Sequence, residues 1–183
     1  MRNQSEDLHH FLLDDNIRLE LLDCINDHRL NYSERQGAPV ITDDDSVGVY
    51  DTQKNSIVKG EIELVQSHWL EEDFILGKTL RTFTTKVTSA WYVVMKSGDF
   101  HVLHDHVGKS GSLVSGAIYL DVPQNLPEPQ GNINWILSDS VKSASPNIGD
   151  VFLWPSHLLH TVYPFRGDGE RIMISFNGKE FKG

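Results

Sequence analysis

Residues 88–122, TSAWYVVMKSGDFHVLHDHVGKSGSLVSGAIYLDV, mark the point where the chain changes texture. Short runs rich in β-branched and aromatic residues are separated here by Gly, Asp and Ser. The pattern continues downstream in NINWILS, DVFLWP, HTVYPF and ERIMISFN. Several short strands at close spacing, with turn residues between them, predict a β-sandwich or barrel.

Upstream the periodicity is helical. Asp14 or Asp15 can cap a segment in which Ile17, Leu21, Cys24 and Ile25 form one apolar stripe. Cys24 lies on that stripe and reads as a buried small hydrophobe. A second helix is expected from Ser67 to about Thr84, carrying Trp69, Phe74, Ile75 and Leu80, with Gly77 as its weak point. Between them, 36–55 is rich in Asp, Gly, Thr and Ser, and reads as a long loop or lid. With no internal repeat or composition break, the expected organisation is one domain. Residues 1–87 would form a helical buttress with a lid loop, and residues 88–183 a β core.

A chain of 183 residues with a formal net charge of -10 is repelled by phosphate backbones and anionic membrane surfaces. Nucleic acid and membrane partners are therefore not expected. The single cysteine excludes an internal disulfide and suits a reducing compartment. The polar N-terminus and the lack of any long apolar run add to a cytoplasmic expectation. Oligomeric state stays open, a homodimer being one option.

Five of the nine histidines fall between residues 101 and 160. If DFHVLHDH is extended, His104 and His106 project to one face while Asp105 points away. Paired neutral imidazoles suit a borderline transition metal such as iron. His101 has the opposite parity. A third ligand must come from a distant strand, and GDVFLWPSHLLHTVYP offers His157, in a turn after Pro155, and His160, which opens the next run. A strand end holds a ligand more firmly than a turn, which favours His160. The ordinary reading, a solvated or hydrogen-bonded side chain, applies to His9, His10, His28 and His68. Arg171 lies eleven residues after His160, a spacing that an antiparallel hairpin would bring back beside the metal-bearing strand. It shares a face with Met173 and Ser175. A guanidinium inside a barrel needs an anion, and a carboxylate matches its fork best. The competing reading is a surface salt bridge with Glu170 or Asp168.

The ordered set W-x-V-x-x-x-x-G-D from Trp91, H-D-H at 104–106, SGAIYL, GDVFLWPSHLLHTVYP and ERIMISFN resembles the iron(II)/2-oxoglutarate oxygenase superfamily. It is most similar to a poorly characterised bacterial and phage group related to prolyl hydroxylases. The likeness covers about the last half of the chain. It implies a double-stranded β-helix (jelly roll), iron(II) on His104, His106 and His160, and 2-oxoglutarate as co-substrate with its distal carboxylate on Arg171. Tyr119, on the face shared with Ser115, would donate its hydroxyl to that carboxylate. The resemblance also implies molecular oxygen as oxidant and an amino acid, a peptide side chain or a small metabolite as substrate, with hydroxylation the default outcome. Most of the superfamily has Asp or Glu where His106 stands. The serine usual two residues after the arginine is Met173 here, so assistance to Arg171 falls to Ser175. Val93 replaces an asparagine frequent in the nearest group.

Two other readings compete. Gly98, with five residues between it and His104, matches half of a cupin motif and points to a three-histidine iron dioxygenase without 2-oxoglutarate. The glutamate that motif requires is absent, with Ser110 and Gly111 in its window. A jelly-roll binding module without redox chemistry is the third reading.

Overall fold

The β-rich runs become strands in two antiparallel sheets. The computed structural model describes residues 6–36, 58–61, 67–107 and 111–182, so all of the expected lid beyond Gln36 lies outside the described residues. The larger sheet combines β1 (His9–Leu12), β2 (Val58–Glu61), β3 (Val87–Met95), β5 (Val114–Asp121), β8 (Asp150–Pro155) and β10 (Arg171–Gly178) in the order β1-β8-β5-β10-β3-β2. The smaller sheet contains β4 (His101–His104), β6 (Ile133–Ile136), β7 (Val141–Ala144) and β9 (His160–Val162) in the order β4-β9-β6-β7. Strands that alternate between two facing sheets make the double-stranded β-helix.

β5 is buried along nearly its whole length rather than at every second residue. The reason is that both faces of the large sheet are covered. Its outer face carries Tyr92, Val94, Ile118, Leu120, Ile172, Ile174 and Phe176, which pack against Leu21 and Ile25 of α1 (Asp15–Gln36) and Leu76 and Leu80 of α2 (Ile75–Phe83). The inner face carries Val93, Met95, Ala117, Tyr119 and Met173, which meet Ile133, Trp135 and Val162 of the small sheet. Each fully buried aliphatic side chain contributes about 1.5–3 kcal/mol, and here a one-residue slip would exchange one apolar face for the other. Hydrophobicity alone therefore fixes register weakly in these strands. The polar residues confined to the inner face, Ser115, Arg171 and Asn177, make the two faces inequivalent.

The N-terminal part is less purely helical than its periodicity suggests. Asp14 is the cap of α1, its carboxylate accepting the N–H groups of Asn16 at 3.0 Å and Ile17 at 3.3 Å. Ahead of it, β1 pairs with β8 and extends the large sheet, and β2 extends the opposite edge. The second expected helix is divided into a 3-10 turn (Ser67–Leu70) and α2. The close return of the chain explains Gly77: a Cβ there would stand 1.9 Å from the Glu71 carbonyl oxygen and 2.8 Å from that of Leu70. No helix among the described residues is long and apolar enough to cross a membrane.

Candidate metal and co-substrate site

His104 ends β4 and His160 begins β9, and the two are direct cross-strand partners. Their ring centroids lie 4.3 Å apart. His106 joins them differently from the simple strand alternation. The strand stops at His104, and the Asp105 carboxylate accepts the Val107 N–H at 3.0 Å, an Asx-type turn. This turn carries the His106 ring to 5.2 Å from that of His104 and 5.1 Å from that of His160. One ligating atom from each of the three lies within 4.8 Å of the others. Asp105, committed to the turn, is not a member of the group.

The tautomers are set by the backbone. The Nδ1 atoms of His104 and His160 lie 2.7 Å from the Val102 carbonyl and 3.0 Å from the Leu158 carbonyl. A carbonyl only accepts, so each Nδ1 carries the proton and each Nε2 is left with its lone pair. Burial, reinforced by neighbouring His104, pushes the pKa of His160 down to about 2. It is therefore held neutral, as metal ligation requires. Trp91 stacks on His106 at 5.8 Å and Trp154 meets His160 edge-on at 4.9 Å. His157 lies on the turn after β8, outside the group. His101 does not diverge from the site as parity predicts. A register irregularity between it and His104 brings its ring 5.9 Å from that of His104.

Arg171 reaches the same interior from the opposite sheet. The expected hairpin is not made: β10 pairs with β3 and β5, and the connection after β9 crosses between sheets. Nor is the surface salt bridge made, since Glu170 pairs with Arg29 at 2.9 Å and approaches Lys96 at 3.8 Å. Arg171 is only 1% exposed. Its Nη2 donates to the Gly131 carbonyl, and Gly131 itself has φ +71°, a backbone conformation that favours glycine. Nε and Nη1 have no hydrogen-bond partner among the described residues, and neither has the Tyr119 hydroxyl. The guanidinium carbon lies 5.8 Å from the Tyr119 ring and 5.8 Å from that of Phe165. Burial lowers the Arg171 pKa and pushes that of Tyr119 up to about 12, so the phenol remains a donor.

Residues 89–177 match the family model described as "Putative 2OG-Fe(II) oxygenase". Residues 89–177 belong to the iron(II)/2-oxoglutarate oxygenase superfamily. No protein of curated function matches it in sequence. The oxygenase shares its fold with a Pseudomonas putida prolyl-4-hydroxylase at TM-score 0.63 and 13% identity, covering 96% of this chain and 94% of that one. A Trichoplax adhaerens prolyl hydroxylase, solved with a hypoxia inducible factor peptide fragment, aligns at TM-score 0.64 and 14% identity over 97% of this chain and 84% of the other. HygX from Streptomyces hygroscopicus, solved with nickel and 2-oxoglutarate, aligns at 0.61 and 10% identity over 97% and 86%.

The enzyme uses iron(II) and 2-oxoglutarate, and its interior fits both. The Nε2 atoms of His104 and His160, with a ring nitrogen of His106 close by, present three nitrogen ligands to a cation. Arg171 and Tyr119 present donors without acceptors, which a carboxylate supplies. An unsatisfied buried donor costs about 1–3 kcal/mol, more when charged, so a carboxylate is the matched partner for this pair. Ser175 sits four residues from Arg171, roughly 13 Å along the strand, directly opposite Trp91 and only partly buried. Its hydroxyl is thus placed toward the histidine end rather than beside the guanidinium. Tyr119, opposite Met173, is the nearer companion of Arg171. Sequence reasoning missed the turn around Asp105, the Gly131 carbonyl beneath Arg171 and the role of Trp91 beside His106. Only the tryptophan left a signal, as the first letter of the W-x-V motif. Cys24 packs against the outer core, its thiol pKa raised by burial and then by Glu20, away from a reactive thiolate.

Proposed function

We propose that His104, His106 and His160 hold iron(II), and that Arg171 with Tyr119 binds the distal carboxylate of 2-oxoglutarate. Ser175 contacts the same co-substrate nearer the metal. The reaction is hydroxylation of an amino acid, a peptide side chain or another small metabolite. The observation that carries this reading is the buried guanidinium whose Nε and Nη1 lack acceptors, inside the barrel that gathers the histidines. A cupin-type dioxygenase or a passive binding module would leave Arg171 Nε and Nη1 buried without an acceptor among the described residues.

When bound, iron(II) and 2-oxoglutarate supply the oxidising chemistry, one oxygen atom passing to the substrate as the co-substrate becomes succinate and carbon dioxide. The protein's work is placement. Arg171 and Tyr119 orient the co-substrate by its far end. The aromatic wall of Trp135, Phe152 and Trp154 keeps water from the buried side of His160. A neutral His106 in place of a carboxylate leaves both positive charges of the ion uncompensated by protein, and a dianionic co-substrate offsets them. Peptide and small-molecule substrates both stay in view, since similar folds were solved with a peptide fragment and with hygromycin B.

Oxygen uptake by the iron-loaded protein tests this. Uptake that rises with 2-oxoglutarate and yields succinate is the expected result. Uptake indifferent to 2-oxoglutarate would favour the cupin-type chemistry, and no iron binding would favour the passive module.

A further inference from the structure

One end of the large sheet's inner face is polar. Ser89, Asn177 and Ser115 are cross-strand neighbours on β3, β10 and β5, and Ser156 continues the row from the turn after β8. Ser115 Oγ donates to Asn177 Oδ1 at 2.8 Å and lies 2.9 Å from Ser156 Oγ. Its one proton is committed to Asn177, so Ser156 is the donor in the second bond. Asn177 Nδ2 donates in turn to Ser89 Oγ at 3.0 Å. The bonds run in one direction, Ser156 to Ser115 to Asn177 to Ser89. Ser115, Ser156 and Asn177 are 1%, 2% and 3% exposed. Small apolar side chains would fill this space without the desolvation cost of three buried polar groups, so the network calls for a purpose beyond packing.

That purpose lies at its Ser156 end. The Ser156 N–H donates to the Leu113 carbonyl at 3.0 Å, and the turn closes with the Leu158 N–H on the Pro155 carbonyl at 2.9 Å. The Ser156 carbonyl accepts the backbone N–H of His106 at 2.9 Å. Two residues on, the Leu158 carbonyl fixes Nδ1 of His160. A single turn, 155–158, therefore locates the backbone of one histidine and the ring of another. His106 depends on it most, because it lies beyond the end of β4.

We propose that Ser156, Ser115 and Asn177 are positioning residues for the metal site, fastening the 155–158 turn to the sheet so that His106 and His160 converge with His104. This rests on the reading that the three histidines hold the metal. Groups that orient metal ligands typically change affinity ten- to a hundredfold when removed.

The test is titration of the full chain with Co(II), followed by its visible absorption, with thermal melting of the metal-free protein alongside. Ser115→Ala should raise the Co(II) dissociation constant about tenfold or more and alter the cobalt spectrum. Ser115→Thr, which keeps a hydroxyl, should restore both. If Ser115→Ala does not fold, Ser156→Ala removes the same link while retaining the backbone carbonyl, with the same expectation. Lower melting temperatures with an unchanged cobalt constant and spectrum would overturn the proposal and leave the network a structural one. Wild-type protein that binds no Co(II) would instead overturn the histidine site itself, and this proposal with it.

Discussion

The two ends of the barrel interior are opposites. At one, burial holds His160 neutral, and backbone carbonyls accept from Nδ1 of His104 and His160, so their Nε2 atoms offer lone pairs beside the His106 ring. At the other, Arg171 Nε and Nη1 and the Tyr119 hydroxyl have protons to donate and no acceptor among the described residues. Neither end satisfies the other, because Met173 and the length of β10 separate them. A buried region of unmet acceptors beside a region of unmet donors is what a cation bridged to a dianion fills. On the proposed ligand set, the negative charge that a carboxylate in place of His106 would bring arrives with the co-substrate.

The largest effect should come from breaking the imidazole end. His160→Ala is expected to reduce iron(II) affinity more than a hundredfold in calorimetry, and 2-oxoglutarate binding should weaken with it, since a ligand bridging both ends loses one of them. The next break is at the other end. Arg171→Ala should leave iron affinity near wild type and weaken 2-oxoglutarate binding by about a hundredfold, since truncating one partner of a buried charged pair costs about 2–5 kcal/mol. Arg171→Lys should recover little, a point charge being a poor substitute for the fork. A loss of iron affinity in Arg171→Ala would mean that the two ends are not separable.

Tyr119→Phe sharpens the comparison by removing one donor. It should weaken 2-oxoglutarate binding about tenfold, measured by the same titration, from the loss of about 1.5 kcal/mol. The smallest effect is on stability. Folding lowers the pKa of His160 from its ordinary 6.5. Below that value the unfolded chain takes up a proton that the folded chain refuses, so metal-free stability falls as pH drops. Between pH 7.5 and 5.5 this single group contributes a loss of about 1.4 kcal/mol. Urea unfolding of the metal-free His160→Gln variant should show a shallower pH dependence by about that amount.

The parts of this arrangement visible in the sequence are those that depend on strand chemistry. β-branched runs punctuated by turn residues gave away the strands, and the motif order pointed to the jelly roll. His104, His106 and His160, chosen for their place among those strands, do come together. What stayed hidden depends on how the chain leaves a strand. His106 reaches the group through the Asp105 turn, and His101 approaches through a register irregularity that alternation cannot anticipate. Arg171 does lie on the inner face, but it gets there through a crossing between sheets rather than by the expected hairpin. β7, with the sequence VKSA and mostly exposed, carries too little apolar pattern to announce itself. The edge strands β1 and β2 are equally short, and their place comes from pairing with partners distant in sequence.

The most direct measurement is anaerobic addition of 2-oxoglutarate to the iron(II)-loaded protein, followed by visible absorption. A weak charge-transfer band should grow in saturably with 2-oxoglutarate, and its midpoint should move to much higher concentration in Arg171→Ala. A band absent from the wild type, or a midpoint indifferent to Arg171, would contradict the pairing of the two ends.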